Sequence, residues 1–202
     1  PFPCERGFRG WSGTARDAFR IATDSATPGY IPGPITPGRW HILLGAYKLI
    51  PAGTEYDVTV RLIPGTTAQE ESAHPAPRTD VARRPGPAWF CGDLHCLTHH
   101  SDGTGSLADL IARAAEAGLD FLAVTEHNTI SHYPELSAYQ GPILLIPGQE
   151  VTTYKGHLNA WACDRWLDFR VRTPEDMAWV VEQAHRSDAL VSINHPKYDG
   201  PD

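Results

Sequence analysis

Basic residues are in the minority. The 202-residue chain carries 17 Lys and Arg against 24 Asp and Glu, a net charge of −7. Such a surface does not draw in phosphate backbones non-specifically, so no nucleic-acid partner is expected. There is no apolar run of the roughly 18 residues that a membrane helix needs, so no membrane partner is expected either. Cysteine is scarce: Cys4, Cys91, Cys96 and Cys163, none of them in a C-x-x-C pair. That argues against a zinc ribbon or a disulfide scaffold and points to a reducing compartment. The opening residues, PFPCERGFRG, lack the basic and apolar regions of a signal peptide, and the chain does not begin with Met. A cytoplasmic location is the expectation. Neither G-x-S-x-G nor G-x-x-x-x-G-K-[ST] occurs, so a serine nucleophile elbow and a phosphate-binding P-loop are excluded.

Histidine is what the chain has in excess. Six of its 10 histidines fall between His95 and His157. The order of elements frames them. Residues 1–64 alternate Pro and Gly with short β-rich runs, Trp40–Leu44, Tyr47–Ile50 and Tyr56–Leu62. In the last run Tyr56, Val58, Val60 and Leu62 alternate with polar residues, the period of a half-buried strand. A small antiparallel β domain, packing against or capping the rest of the chain, is expected here. Residues 65–88 hold four prolines and hardly any bulky apolar residue, and read as a linker. From 89 to 202 strands and helices alternate. WFCGDLH, FLAVTEH, PILLIPGQE, LNAWACD and ALVSINH read as strands. Ser106 with Asp109, and Thr173 with Pro174, open helices whose apolar residues recur at i, i+3, i+4 and i+7. Strand, helix, strand in this order predicts parallel βα units.

The strand ends carry the chemistry. WFCGDL runs into His95, FLAVTE into His127, ILLIPGQ into Glu150 and ALVSIN into His195. In parallel α/β barrels the active site forms on that rim. Imidazole and carboxylate together suit Zn²⁺, Mn²⁺ or Fe²⁺. More ligands than one ion needs predicts two or three ions, with Glu150 able to bridge. Clustered ions supply hydroxide at neutral pH and neutralise a developing oxyanion, which is hydrolytic chemistry.

These residues also resemble a known family. DLHCLTHHSDG is similar to the first motif of the PHP (polymerase and histidinol phosphatase) metallohydrolases, D-L-H-x-H-x-x-x-S-D-G. VTEHNT resembles T-D-H-N, PGQEVTT resembles G-x-E, GHLNA resembles G-H-L, and INHP resembles N-H-P. PGYIPGPITPGRW ahead of this domain resembles the carbaryl-hydrolase-like branch. The resemblance implies a distorted parallel βα barrel holding up to three divalent metals and hydrolysing a phosphoester, or in that branch a carbamate or aryl ester. Carried over, it implies His95 in a first metal site, Asp102 and His127 in a second, Glu150 bridging, and His157 and His195 completing a third. Glu150 and His195 become the catalytic candidates. Glu126, where the family more often has Asp, is expected to orient His127.

Two departures stand out. Leu97 occupies the second histidine of H-x-H and can donate nothing, so the first site has lost a ligand. Cys96 is expected on the opposite face of the strand. His99 is the nearest replacement, and His100 is expected to line the pocket or be exposed. The roughly 110 residues after Trp89 are too few to close a barrel of about 250 residues, so a piece of a longer protein is expected. The leading expectation is a phosphoesterase acting on a small-molecule phosphoester. A carbamate or aryl ester hydrolase is the alternative within enzymes, and a degenerate, non-catalytic metal-binding or regulatory domain the alternative outside them. His41, His132 and His185 read as surface or structural histidines, Trp161 and Trp166 as core or rim, Lys197 and the Arg83–Arg84 pair as solvated charge, and Cys163 as a small buried hydrophobe. Oligomeric state is left open.

Overall fold

The computed structural model describes residues 7–46, 49–65 and 86–196. The elements are β1 (Gly92–Cys96), α1 (Leu107–Glu116), β2 (Phe121–His127), α2 (Tyr133–Ala138), β3 (Leu144–Thr153), β4 (Gly156–Trp161), α3 (Pro174–His185) and β5 (Leu190–Ile193). The two long helices start at their caps. Ser106 accepts from the Asp109 N–H while the Asp109 carboxylate accepts from the Ser106 N–H, and Thr173 and Asp176 repeat the arrangement. Each pair satisfies two backbone donors that a helix start leaves without partners. The short helix α2 has no such signal; its N-cap, His132, makes no side-chain cap bond.

One five-stranded sheet has the order β1-β2-β3-β4-β5 and curls into a half-barrel. β1, β2 and β3 pair in parallel, as the alternation of strands and helices predicts. β4 does not follow that expectation: it is antiparallel to both β3 and β5. Thr153 pairs with Gly156, leaving only Tyr154 and Lys155 to make the turn. So short a link can join only antiparallel strands, because a parallel pair needs a long crossover. β5 is thereby parallel to β1, β2 and β3, and four strands point their C-terminal ends at one rim. β4 enters at that same rim, which puts His157 there from the opposite direction.

Successive strand residues face opposite sides of the sheet. Cys96, Leu122, Val124 and Leu145 pack with Leu107 and Ala114 of α1 and with Tyr133 and Leu136 of α2. Val151, Leu158 and Ala160 pack with Val180 and Ala184 of α3 and with Cys163 and Leu167. The alternate positions, His95, His127, Glu150 and His157, face the other way, around a hollow that Leu97 and His195 also line.

The N-terminal segment docks beside this sheet. Arg16 donates to the carbonyls of His99 and Ser101, and Gly29 N–H donates to Ser131 Oγ at 3.0 Å. Gly29 has φ +94°, and a Cβ there would meet the His100 and Trp11 carbonyl oxygens at 2.7 Å, so only glycine fits this seam. The expected antiparallel β domain is not formed in the described part of residues 1–64. Only isolated bridges occur there, Gly10 with Tyr30 and Ile21 with Ala26. Trp40–Leu44 and Tyr56–Leu62 are not strands. Tyr56, Val60 and Leu62 are each more than 60% exposed, so the alternation is present without a surface for its apolar side to meet. Tyr47 and Lys48, residues 66–85 of the expected linker with Arg83 and Arg84, Cys4 and Lys197 lie outside the described residues.

Candidate metal centre

Glu150 is the centre of the hollow. It sits on β3 opposite His127, 1% exposed, and takes contacts on both oxygens. His95 Nε2 lies 2.8 Å and His127 Nδ1 3.2 Å from Oε2. His157 Nδ1 lies 3.2 Å, His195 Nε2 3.3 Å and Asn194 Nδ2 3.0 Å from Oε1. One oxygen therefore faces the β1–β2 pair of imidazoles and the other faces the pair from β4 and the segment after β5. The rings close on one another, with His157 centred 5.1 Å from His195 and 5.8 Å from His127. Asp102 stands outside this ring, its Oδ2 3.4 Å from His127 Nε2.

The electrostatics follow from burial. Burial alone would raise the Glu150 carboxyl, yet hydrogen bonds from His157, the electrostatic pull of the neighbouring His127 ring, and bonds from Asn194 and His95 hold it well below the usual carboxylate range. Burial lowers His127, against the pull of Glu150 and Asp102, and favours the neutral imidazole. An ionised Glu150 beside a neutral His127 is the protonation state that a divalent cation requires of its ligands. His127, Glu150 and His157 each bring a ligand atom within 4.8 Å of the others. The donor set is nitrogen and carboxylate oxygen, which suits a borderline divalent ion. The site thus fits the ions that the sequence implies, with Leu97 contributing none of the binding.

The backbone at the site is strained. Asn128 (φ 52°) and His195 (φ 27°) both adopt left-handed conformations that side chains disfavour, at a cost of about 1–3 kcal/mol each. Asn128 is locked by bonds to Thr152: its Nδ2 donates to the carbonyl at 2.9 Å and its Oδ1 accepts the N–H at 2.8 Å.

Three expectations are corrected. Glu126 does not orient His127; it faces the helix side of β2, where the Thr98 N–H, the Thr98 hydroxyl and the Ser101 hydroxyl all donate to it. Neighbours on a strand point oppositely, so a residue adjacent to His127 cannot share its face. Burial pushes the Glu126 carboxyl up to about 7, against those three donors. His99 does not replace Leu97; its Nδ1 faces the Gly105 carbonyl at 3.3 Å. His100 neither lines the hollow nor is exposed, being 5% accessible and bonded to Ser131 and Glu135. Cys96 is buried on the opposite face, as its register predicts. His132 is fully buried, while His41 and His185 are exposed.

Sequence reasoning passed over Thr152 and Asn194. Thr152 Oγ1 lies 2.5 Å from His127 Nδ1, and it sits two residues beyond Glu150 on the same strand, so strand period was the available signal. Trp11 was also missed. Its ring is centred 6.2 Å from His127 and 6.4 Å from Phe169, and Phe8 stacks on Trp166 at 4.0 Å. Nothing local announces this wall, because its members are far apart in sequence.

The description of the PHP domain matches residues 93–199, more than half of the chain. The chain belongs to the PHP family. PHP domains are metal-dependent, and a PHP domain with a His/Glu group of this kind fits a metal-dependent hydrolase. A stretch of 63 residues is 40% identical to a protein of Haemophilus influenzae named 5'-3' exoribonuclease, covering 30% of this PHP chain and 23% of that protein. The chain thus matches about a quarter of that relative's length. Among the described residues no helix is long and apolar enough to cross a membrane.

Proposed function

We propose that this PHP domain is a divalent-metal-dependent phosphoesterase acting on a small-molecule phosphoester. The observation that carries the proposal is the division of Glu150, with one oxygen toward His95 and His127 and the other toward His157 and His195. A carboxylate so placed is suited to bridge two ions. His95, Asp102, His127, Glu150, His157 and His195 would hold two or three ions of zinc, manganese or iron. Bound there, such ions supply Lewis acidity, an activated water and charge neutralisation at a phosphoryl group. The chain's own contribution is to aim the imidazoles, through Glu150 and Thr152, with Asn194 holding Glu150 in place. Among the imidazoles His195, whose side chain is 45% exposed against 13% for His127, is the one a substrate meets first. The relative named as an exoribonuclease supports phosphodiester chemistry, while the net charge of −7 favours a small substrate over a polyanion.

A second reading has its own support. Trp11, Phe169, Trp166 and Phe8 make an aromatic wall next to His127, which suits an aryl carbamate or aryl ester of the kind the carbaryl-hydrolase-like branch takes. One experiment separates the readings. Protein loaded in turn with zinc and manganese is assayed on bis(p-nitrophenyl) phosphate, p-nitrophenyl phosphate, 1-naphthyl acetate and a short oligoribonucleotide, beside Glu150→Ala. Turnover of a phosphate substrate, lost in Glu150→Ala, supports the first reading, and turnover of the naphthyl ester alone moves the assignment to the second. No hydrolysis at full metal load assigns the chain a non-catalytic, metal-binding role.

A further inference from the structure

The loop after β1 carries two adjacent histidines that the centre at Glu150 leaves unused. His99, His100 and Glu135 each bring one ligand atom, and the three atoms lie within 4.8 Å of one another. Glu135 comes from the first turn of α2, so the cluster joins two segments that are separate in the chain. None of the three lines the hollow around Glu150.

The hydrogen bonds prepare both rings. His99 Nδ1 faces the Gly105 carbonyl, which can only accept, so the neutral ring carries its proton on Nδ1 and keeps a lone pair on Nε2. His100 Nδ1 lies 2.8 Å from Ser131 Oγ and its Nε2 2.9 Å from Glu135 Oε1. Histidine ligands are oriented in this way, with one ring nitrogen held by an oxygen and the other turned to the ion. The rings lie side by side, 4.9 Å between centroids and 25° from parallel.

We propose that His99 Nε2, His100 Nε2 and a Glu135 oxygen form a second divalent-cation site of zinc type, separate from the Glu150 centre. Two nitrogens and one carboxylate oxygen make three protein ligands, and the exposure of Glu135 leaves the fourth position to water. Without the ion, His100 Nε2–H donates to the Glu135 carboxylate and the Ser131 hydroxyl donates to Nδ1. On binding, the Nε2 proton leaves to solvent, a proton from solvent settles on Nδ1, and that N–H then donates to Ser131 Oγ. The ring stays neutral throughout. The same Ser131 hydroxyl oxygen accepts from Gly29 N–H, and the carbonyl of His99 accepts from Arg16. The cation therefore clasps the β1 loop to α2 where the N-terminal segment docks. That loop also carries Asp102.

The site is tested with zinc as the probe, on tag-free protein stripped by chelator, reloaded, dialysed and analysed for metal. The parent is compared with His99→Ala, with Glu135→Gln, and with the double variant Glu150→Gln/His157→Ala. Glu135 is exposed and His99 half-buried, and glutamine keeps the hydrogen-bonding shape at 135, so folding survives in at least the Glu135→Gln variant. His99→Ala and Glu135→Gln are each expected to hold one zinc fewer than the parent. The double variant is expected to keep one zinc, which disappears when His99→Ala is added. Equal zinc in the parent and both clasp variants overturns the proposal, as does a double variant with no zinc. Because the two centres share no ligand, this result stands apart from the outcome of the hydrolase assay.

Discussion

Leu97→His is the substitution whose consequence is best defined. Leu97 lines the hollow beside His95, while Cys96 between them is buried on the other face. A histidine at 97 therefore shares a face with His95 and adds a nitrogen near Glu150 Oε2. Changes of this rank at metal sites shift affinity on the order of 10–100-fold, equivalent to about 1.4–2.8 kcal/mol. With zinc well above both dissociation constants, linkage passes that difference to the folded state. For a chain of this size about 2–4 °C accompanies each kcal/mol, so the zinc-dependent rise in Tm should exceed the parent's by roughly 3–11 °C. Without metal the sign reverses, because a half-buried leucine is lost, at a cost of about 1 kcal/mol. Thermal melts followed by circular dichroism, in chelator and in zinc, read both arms. The same zinc-induced rise in variant and parent refutes the reasoning and leaves Leu97 as packing alone.

Two further outcomes rest on burial and capping. Burial pushes His132 down to about 3, helped by His100, while backbone bonds to Val124 and Gly148 act the other way. Its folded value lies below the unfolded one near 6.5, so protonation favours the unfolded chain; this part of the stability falls as pH drops below about 6.5 and levels off near 3. At pH 5 the loss is about 2 kcal/mol. His132→Asn is expected to flatten the urea-measured stability profile between pH 7 and 5 by that amount, and parallel profiles would count against it. Ser106→Ala and Thr173→Ala each remove the hydroxyl that accepts an N–H at a helix start, at a cost of about 1 kcal/mol. Urea midpoints should fall with unchanged slope.

Much of the domain could be read from local pattern. The Ser106 and Thr173 caps, the continuous apolar run of β2, and the placing of His95 and His127 at strand ends depend on near neighbours in the chain, whereas Glu150 lies inside β3, which runs on to Thr153. What failed was non-local. Tyr56, Val58, Val60 and Leu62 have strand period, but a strand also needs a partner for its backbone and a surface for its apolar side. The resemblance to T-D-H-N implies that Glu126 orients His127, although neighbours on a strand point to opposite faces.

By itself the sequence determined which residues could bind a cation and which segments could be helix or strand, because residue chemistry and backbone period are local properties. Only the tertiary structure decided that β4 runs backward and brings His157 to the common rim, and that Glu150 divides its oxygens between two pairs of histidines. It alone carried His99 and His100 to Glu135 and Trp11 to His127. These arrangements depend on contacts between segments far apart in the chain, which no local pattern encodes.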